Sequence, residues 1–270
     1  MGKVWLITGT SRGLGRALAV GVLDAGDYLA ATARDPAQLE DLAIKYGQER
    51  VLSVALDVTD PSSAAAAIAA TVSKFGRLDV LVNNAGYADA ASVEDISHES
   101  FRDQVETNFF GVFNVTKAAI PILRKQGSGH IIQVSSVGGR IGSPGLSAYQ
   151  ASKWAVGGFS TALAAEIAPL GIKVTVLEPG GMKTDWAKGK VNASEPYWAT
   201  VQAQAERRAR LSENWTEPNE LVRGVLHVSS VKEPPLRLLL GKDTVAIGRM
   251  AADQLATSDE QWLSVTTMNI

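Results

Sequence analysis

The chain has 270 residues, 46% of them hydrophobic and 20% charged, which is the composition of an ordered globular protein. Its net charge of −2 excludes a strong electrostatic footprint for nucleic acid or anionic membrane, and its lack of cysteine excludes disulfides and thiol catalysis. No apolar run reaches the roughly 18 residues of a membrane span, and three scattered histidines predict no metal site. We expect one cytoplasmic domain over residues 1–270, because the first predicted strand begins by residue 3 with no leader ahead of it.

Short apolar segments alternate with helical patterns along most of the chain. This alternation predicts a parallel sheet with helices on both faces and right-handed crossovers. The predicted strands cover residues 3–8, 27–33, 51–56, 78–82, 130–135, 172–177 and 236–240. One helix is predicted directly after the first strand, and others over 36–46, 61–75 with Asp60 as its cap, 98–126, 147–169 and 217–229.

A glycine turn joins the first predicted strand to the first helix. The turn reads Gly9-Thr10-Ser11-Arg12-Gly13-Leu14-Gly15. In such a unit Gly9 makes the tight turn, Gly13 lets the backbone approach a pyrophosphate, and Gly15 lets the helix pack close to the strand. The helix start then offers unpaired N–H groups to phosphates. The spacing departs from Gly-x-Gly-x-x-Gly, and glycine turns also occur without a ligand, so further signals are needed.

Tyr149 and Lys153 supply a further signal, because residues four apart on a helix share a face. A nearby ammonium favours the phenolate, so Lys153 is expected to lower the pKa of Tyr149. Ser136, at the end of an apolar strand, is placed to hold a carbonyl or hydroxyl oxygen beside the phenol. The same spacing also occurs in ordinary exposed pairs, so the pattern alone leaves both interpretations open.

Residues 183–216 have no clear period and carry three tryptophans among many charges. We expect an irregular segment that acts as a lid, because long connections over an α/β sheet often cover the active site. The tryptophans either line an apolar substrate pocket or anchor the lid to the core. They are Trp186, Trp198 and Trp215.

With these elements placed, the chain resembles the short-chain dehydrogenase/reductase family over at least residues 3–185. The resemblance implies an α/β Rossmann fold: a doubly wound parallel sheet in three αβα layers, as one domain with a lid. The extended branch of the family usually has Gly-x-x-Gly-x-x-Gly and a larger carboxyl-terminal domain, and this chain has neither. The motifs that carry the resemblance are Thr8-Gly9-x-x-x-Gly13-x-Gly15, Asp57, Asn83-Asn84-Ala85-Gly86, Asn108, Ser136, Tyr149-x-x-x-Lys153 and Pro179-Gly180.

The resemblance also implies a reaction, in which a hydride passes between a nicotinamide and a carbonyl carbon. By similarity, Tyr149 is the general acid for reduction, and Lys153 lowers its pKa and binds the nicotinamide ribose. Ser136 bonds the carbonyl oxygen and stabilises its developing charge. Asn108 holds a water that relays protons from Lys153 to solvent.

The end of the second strand bears on the choice of cofactor. NAD-using relatives usually place an acid there, where this chain has Ala33 followed by Arg34. Arg34 and Arg12 favour the 2′-phosphate of NADP, while Asp35 lies two positions too late to act as the acid. By the same resemblance, the other cofactor-binding residues are Gly9, Ser11, Gly13, Leu14, Gly15, Asp57, Val58, Asn84, Ala85, Gly86, Tyr149, Lys153, Pro179, Gly180 and Thr184.

The sequence thus predicts an NADP(H)-dependent oxidoreductase acting on a small carbonyl or alcohol substrate. One alternative is an NAD-dependent alcohol dehydrogenase, against which Ala33 and Arg34 count. Another is a Rossmann protein that binds a nucleotide without catalysis. Relatives often pair through the helices that correspond to 98–126 and 147–169, so we expect a homodimer or homotetramer.

Overall fold

Seven parallel strands form a central sheet in the part of the chain that this computed structural model describes, residues 2–184 and 191–268. Two very short strands, Ala90–Ala91 and Val191–Asn192, pair with each other in a separate sheet. In chain order the strands are β1 (Val4–Ile7), β2 (Tyr28–Ala33), β3 (Val51–Ala55), β4 (Val80–Asn83), β5 (Ala90–Ala91), β6 (Gly129–Val134), β7 (Ile172–Pro179), β8 (Val191–Asn192) and β9 (Arg237–Leu240).

The central sheet has the order β3-β2-β1-β4-β6-β7-β9. The chain steps outward from β1 to β3 and then returns to the other side of β1 at β4. In register, Leu6 of β1 lies opposite Ala30 of β2 and Leu81 of β4. The reversal opens a crevice between the carboxyl ends of β1 and β4, which is where open α/β sheets bind their ligands.

Helices cover both faces of this sheet. Because successive strand residues point to opposite faces, Ile7 packs with Leu18 and Val225 on one side, while Leu6 packs with Ile68 on the other. The predicted three-layer, doubly wound Rossmann fold is therefore confirmed. The helices are α1 (Gly13–Asp24), α2 (Glu40–Tyr46), α3 (Pro61–Phe75), α4 (His98–Val105), α5 (Gly111–Gln126), α6 (Ser147–Ile167), α7 (Glu195–Ser212), α8 (Pro218–Val228), α9 (Thr244–Gln261) and α10 (Leu263–Thr266).

Local signals fix several of these helix boundaries. Asp60 caps α3, since its carboxylate accepts a hydrogen bond from the Ser62 N–H at 2.8 Å, and Pro61 occupies the first helical position. The predicted helix 36–46 divides into a 3₁₀ turn over Pro36–Leu39 and α2. Prediction and structure agree here because capping acts over a few neighbouring residues.

The predicted helix 98–126 is interrupted by a π-helical turn over Glu106–Phe110, between α4 and α5. A π turn takes one more residue per hydrogen-bonded ring than an α turn, and such insertions often occur at functional sites. Asn108 lies in this turn and is fully buried. Hydrophobic periodicity did not reveal the interruption.

The prediction that 183–216 is irregular is wrong for most of that segment, because α7 and β8 lie within it. The helix is rich in Ala, Gln, Glu and Arg, which favour helix formation, but Val201 is its one buried residue. The helix therefore lacks the repeating apolar positions by which an amphipathic helix is recognised in a sequence. Trp198 is 51% exposed, whereas Trp215 lies against Gly181. Trp186 lies outside the described residues.

The chain after β9 forms α9 and α10, two helices that were not predicted from the sequence. Residues 252–268 are exposed along this whole region. Among the helices in the described ranges, none is long and apolar enough to cross a membrane.

Candidate active site

The glycine turn after β1 requires glycine at three positions for different reasons. Gly9 and Gly13 have φ angles of 70° and 58°, in the left-handed region that other residues avoid. A Cβ atom on Gly15 would lie 2.2 Å from the carbonyl oxygen of Gly9, so α1 can pack this close to the turn only without a side chain. The mechanical roles expected for Gly9 and Gly15 agree with this geometry.

The amino terminus of α1 fits the diphosphate of a dinucleotide. Arg12 occupies the N-cap position without a side-chain capping bond, and the first turn contains no acidic residue. The backbone N–H groups of the first turn of α1 therefore have no side-chain acceptor competing with an anion for them. Thr184 lies beside this turn, with its methyl carbon 3.5 Å from where a Cβ on Gly13 would be.

Hydrogen bonds join the carboxyl ends of β1 and β4 across the crevice. The Thr8 hydroxyl oxygen accepts the backbone N–H groups of Asn84 at 2.8 Å and Ala85 at 2.9 Å. The Asn84 side-chain amide donates to the carbonyl oxygens of Thr8 at 2.8 Å and Gly9 at 3.1 Å. These bonds hold the carboxyl ends of β1 and β4 in one arrangement. Asn84 supports the turn in this way, and Thr8 was not among the predicted site residues.

Ala85 and Gly86 connect this crevice to Lys153. A Cβ on Gly9 would lie 3.1 Å from the Ala85 Cα, and a Cβ on Gly86 would lie 3.7 Å from the Lys153 Nζ. The same Cβ on Gly86 would be 2.8 Å from the Asn108 Oδ1. The glycine at position 86 therefore allows Asn108 and Lys153 to approach the crevice.

Asn108 fixes the backbone that follows Gly86. Its Nδ2 donates to the Tyr87 carbonyl oxygen at 2.7 Å, and its Oδ1 accepts from the Tyr87 N–H at 2.9 Å. Lys153 is 5% exposed, and its Nζ donates to the Val134 carbonyl oxygen at 2.8 Å. The π turn and the first part of α6 therefore place an amide and an amine at one end of the crevice.

Ser136 and Tyr149 meet at the carboxyl end of β6. Ser136 caps the short 3₁₀ turn Val137–Gly139, and its Oγ accepts the Gly138 N–H at 3.0 Å. A hydrogen bond also joins Ser136 to the hydroxyl of Tyr149, which lies in the first turn of α6. The three residues expected to handle the proton, Ser136, Tyr149 and Lys153, are therefore brought together.

Burial dominates the electrostatics of this group. It raises the pKa of Tyr149 above its ordinary value of 10.0, and the Ser136 hydrogen bond opposes that rise. Burial also lowers the pKa of Lys153 to about 8. The expectation that Lys153 lowers the pKa of Tyr149 does not hold for the chain by itself. Desolvation disfavours both charged forms, and the Lys153 Nζ is 5.7 Å from the centroid of the tyrosine ring.

The end of β2 carries the residues expected to select the cofactor. Ala33 is buried at the last position of the strand, and Arg34 and Arg12 are both exposed. The Asp35 carboxylate accepts the Ala37 N–H at 3.1 Å and caps the following 3₁₀ turn. Asp35 is thus engaged locally, and two guanidinium groups remain at the surface beside the crevice.

Asp57 and Val58 follow β3 at the same edge of the sheet. The Asp57 carboxylate accepts hydrogen bonds from the Thr59 N–H at 3.0 Å and the Thr59 hydroxyl at 2.7 Å. Val58 is buried, and a Cβ on Gly111 would lie 2.6 Å from one of its methyl carbons. The start of α5 therefore fixes the side of the crevice expected to hold the adenine.

Pro179 ends β7, and the next two residues turn beneath α9. The Gly180 N–H donates to the Leu240 carbonyl oxygen at 2.9 Å, and the Gly181 N–H donates to the Asp243 carboxylate at 3.0 Å. A Cβ on Gly180 would lie 2.2 Å from that carboxylate. Contact with the start of α9 thus positions the backbone expected beside the nicotinamide.

A buried ion cluster that the sequence analysis missed supports the same edge. Glu178, 1% exposed, accepts hydrogen bonds from the Arg140 Nε at 2.8 Å and from the Arg237 Nη1 at 2.9 Å. Arg140 ends the 3₁₀ turn that Ser136 begins, so the cluster ties that turn to β7 and β9. A glutamate directly after the apolar pair Val176-Leu177 and before Pro179-Gly180 was the available signal.

Within residues 2–184 and 191–268, no group of three or more His, Cys, Asp or Glu side chains is arranged to hold a metal ion. His130 is buried inside the sheet, where its Nε2 lies 2.9 Å from the Thr175 hydroxyl oxygen.

Known proteins match this chain along most of its length. A family model described as short chain dehydrogenase matches residues 3–195. Oxidoreductase BOA17 of Botryotinia fuckeliana is 56% identical over 266 residues, covering 97% of this chain and 97% of that protein. A solved short-chain dehydrogenase from Streptomyces avermitilis is 35% identical with a TM-score of 0.88, covering 98% of each chain.

Two other similar structures contain nicotinamide nucleotides. An alcohol dehydrogenase from Thermococcus sibiricus, in complex with 5-hydroxy-NADP, is 27% identical with a TM-score of 0.75 and matches 89% of this chain and 97% of that one. A 3-ketoacyl-(acyl-carrier-protein) reductase from Brucella melitensis, in complex with NADH, is 30% identical with a TM-score of 0.76 and the same two coverages. Similar structures therefore occur with both kinds of nucleotide.

Proposed function

The chain belongs to the short-chain dehydrogenase family and is an oxidoreductase, and on that premise we propose that it interconverts a ketone or aldehyde and the corresponding alcohol with NADP(H). The observation that carries this proposal is the grouping of Ser136, Tyr149 and Lys153 beside the nucleotide crevice. A hydroxyl, a phenol and an amine at this place match the needs of a proton transfer coupled to carbonyl reduction.

Tyr149 acts as the general acid during reduction. When bound, the nicotinamide would supply the hydride, which no side chain can provide. The raised pKa of Tyr149 keeps its proton in place at neutral pH, so the phenol donates to the substrate oxygen as that oxygen gains negative charge. Because the Ser136 Oγ already accepts the Gly138 N–H, its own proton is available to Tyr149 or to the same substrate oxygen.

Lys153 and Asn108 support the transfer of the proton by Tyr149 and its later replacement. A charged Lys153 favours the phenolate that forms when Tyr149 gives up its proton. The described contacts use one of its three N–H donors, on the Val134 carbonyl oxygen, and the others suit ribose hydroxyls or water. Asn108 holds the Gly86-Tyr87 backbone against Lys153, and in this proposal it would border a water that relays protons to solvent.

The exposed guanidinium groups support the preference for NADP. Arg34 and Arg12 lie at the end of the crevice where the adenosine ribose is expected, and the nearby Asp35 carboxylate is bound to the Ala37 N–H. Two arginines without a free carboxylate favour a 2′-phosphate through charge-assisted hydrogen bonds. An NAD-dependent alcohol dehydrogenase is the second candidate, favoured by the NADH in the Brucella reductase structure.

Deuterium transfer to a ketone tests the proposed reaction. The enzyme is incubated with a panel of ketones and NADPH deuterated at both C4 positions, and the alcohols are analysed by mass spectrometry. We expect one deuterium at the carbinol carbon, and a loss of about 10²- to 10⁴-fold in turnover for Tyr149→Phe, which lacks the donor. Tyr46→Phe is the matched control, since its hydroxyl binds Asp24 at the surface. Alcohol without deuterium, or full turnover in Tyr149→Phe, would contradict the proposal.

We also propose that the described part of residues 183–216 covers the substrate and that the protein forms a homodimer or homotetramer. The first proposal is supported by the pairing of β8 with β5, which ties this segment to the chain that follows β4. The second is supported by exposed aromatic side chains on the two expected contact helices, Phe113 on α5 and Trp154 on α6. Light scattering of Trp154→Glu tests the assembly: we expect a smaller oligomer than for the wild type, and an unchanged mass would contradict this contact.

A further inference from the structure

The helix α7 is attached at both ends to loops that border the Ser136 and Tyr149 pair. Near its start, Val201 packs against Gly145, just before α6, with 2.8 Å between a methyl carbon and the position of a Cβ on that glycine. Beyond its end, the Thr216 N–H donates to the Gly181 carbonyl oxygen at 3.1 Å, just after β7. An 18-residue helix is about 27 Å long, so α7 spans the distance between these two loops, one before Tyr149 and one after Pro179.

Arg208 lies on the inward face of this helix. It follows Val201 by seven residues, which is two helical turns, and the two side chains therefore leave the helix on the same side. Val201 is 3% exposed, which identifies that side as the one facing the body of the protein. The neighbouring Arg207 and Arg210 are exposed on the outer side, where Arg210 lies 4.0 Å from Glu206.

The Arg208 guanidinium has no counter-charge in the described part of the chain. Its Nη1 is shut off from solvent and has no hydrogen-bond partner among residues 2–184 and 191–268. Arg16 and Arg50 also have one unpaired nitrogen each, but another nitrogen of Arg16 binds Asp41, and another nitrogen of Arg50 binds the Asp27 carbonyl oxygen at 3.0 Å. No such bond satisfies Arg208 among those residues, and burial lowers its pKa from the ordinary value.

Arg208 is partly buried, and a guanidinium nitrogen that is shut off from solvent without an acceptor is unfavourable, because its lost hydrogen bond to water is not replaced. Proteins rarely keep such a group unless a ligand completes it, and arginine is well shaped for carboxylate and phosphate oxygens. Arg208 lies on the face of α7 whose Val201 contacts Gly145, four residues before Tyr149, and this makes a substrate the natural source of that anion.

We propose that Arg208 binds a carboxylate or phosphate group at the end of the substrate remote from the reacting carbonyl. The substrates would then be acidic carbonyl compounds and the matching hydroxy acids. This inference rests on the proposed function, since it assigns a substrate class to the same site. The diphosphate of the cofactor is the competing source of an anion, and the test below separates the two.

The test uses pairs of probes that share one carbonyl group and differ in charge. A series of straight-chain keto acids of increasing length is compared with their ethyl esters, for the wild type, Arg208→Met and Arg208→Lys. Arg207→Met is the matched control, because it removes the same charge from the outer face of the same helix. Two quantities are measured: kcat/KM for each probe, and the dissociation constant of each acid by calorimetry with the enzyme saturated with NADP⁺, where no turnover occurs.

We expect the wild type to prefer at least one acid over its ester. Arg208→Met should lower kcat/KM and weaken binding for that acid by about 10- to 100-fold, the usual value of a hydrogen bond to a charged group, and leave the ester unchanged. Arg208→Lys should restore part of the loss, and Arg207→Met should cause none.

Three results would overturn the inference. The first is a wild type that prefers no acid in the series over its ester. The second is an equal loss for acid and ester, or the same loss in Arg207→Met, which would indicate a structural or general electrostatic role. The third is weakened NADPH binding in Arg208→Met without discrimination between acid and ester, which would assign the anion to the cofactor. In each case the ester activity with deuterium transfer would still support the proposed function, so the two proposals fail separately.

Discussion

The ammonium nitrogen of Lys153 lies 5.7 Å from the centroid of the Tyr149 ring and donates to the carbonyl oxygen of Val134 at 2.8 Å. Burial lowers the pKa of Lys153 to about 8 and raises that of Tyr149. The positive charge beside the phenol is therefore lost within a range of pH where the phenol keeps its proton.

The rate of carbonyl reduction should consequently fall as pH rises through about 8. Below that pH Lys153 is charged and stabilises the phenolate that forms when Tyr149 donates its proton, and above it this support is lost. The measurement is kcat/KM for ketone reduction from pH 6 to pH 10, which reports groups of the free enzyme. A rate that stays constant up to pH 10 would show that the charge of Lys153 has no part in the reaction.

Gly15→Ala should abolish tight nucleotide binding and destabilise the fold by about 1–3 kcal/mol, the usual cost of overpacking. The new Cβ would lie 2.2 Å from the Gly9 carbonyl oxygen, which is backbone and cannot simply rotate away. The measurements are nucleotide affinity and the free energy of unfolding in urea.

Gly158→Ala is the control for that experiment. Gly158 lies inside α6, and a Cβ there would meet nothing within 4 Å. Alanine should stabilise the helix by about 0.5–1 kcal/mol and leave nucleotide binding unchanged. If both variants behave alike, the close packing of α1 against the turn has no effect on the site.

His130 should make the protein less stable in mild acid. Burial lowers its pKa from 6.5 to about 4 in the folded chain. Between these values the unfolded chain binds a proton that the folded chain excludes, so the free energy of unfolding falls as pH falls, by up to about 3 kcal/mol. Urea unfolding from pH 7 to pH 4 should show this slope in the wild type and a shallower one in His130→Gln. Equal slopes would assign the acid sensitivity to other groups.

The sequence predicted the central sheet well, because its strands are short, apolar and bounded by turns. Predicted and observed boundaries of the first four strands differ by two residues or fewer, as for 27–33 and β2 (Tyr28–Ala33). The helix α7 was missed because it buries only Val201 and has no apolar period, although its composition favours a helix.

The residues of the candidate site could be predicted from the sequence, but their pKa values could not. The family resemblance brought Ser136, Tyr149 and Lys153 to one place, and the structure has them together. The predicted fall in the pKa of Tyr149 was wrong. The direction of that shift depends on how far folding removes water from Tyr149 and Lys153. Glu178 was missed for a related reason, since its burial and its arginine partners come from segments distant in sequence.

The most direct test of the account is a titration of the protein with NADPH and with NADH, followed by intrinsic tryptophan fluorescence. We predict clearly tighter binding of NADPH, with the preference lost in Arg34→Asp, because a carboxylate repels the 2′-phosphate and accepts the ribose hydroxyls of NADH. Arg77→Asp, at an exposed position that pairs with Asp79, is the charge-matched control and should keep the preference for NADPH. Tighter binding of NADH by the wild type, or binding of neither nucleotide, would contradict the account.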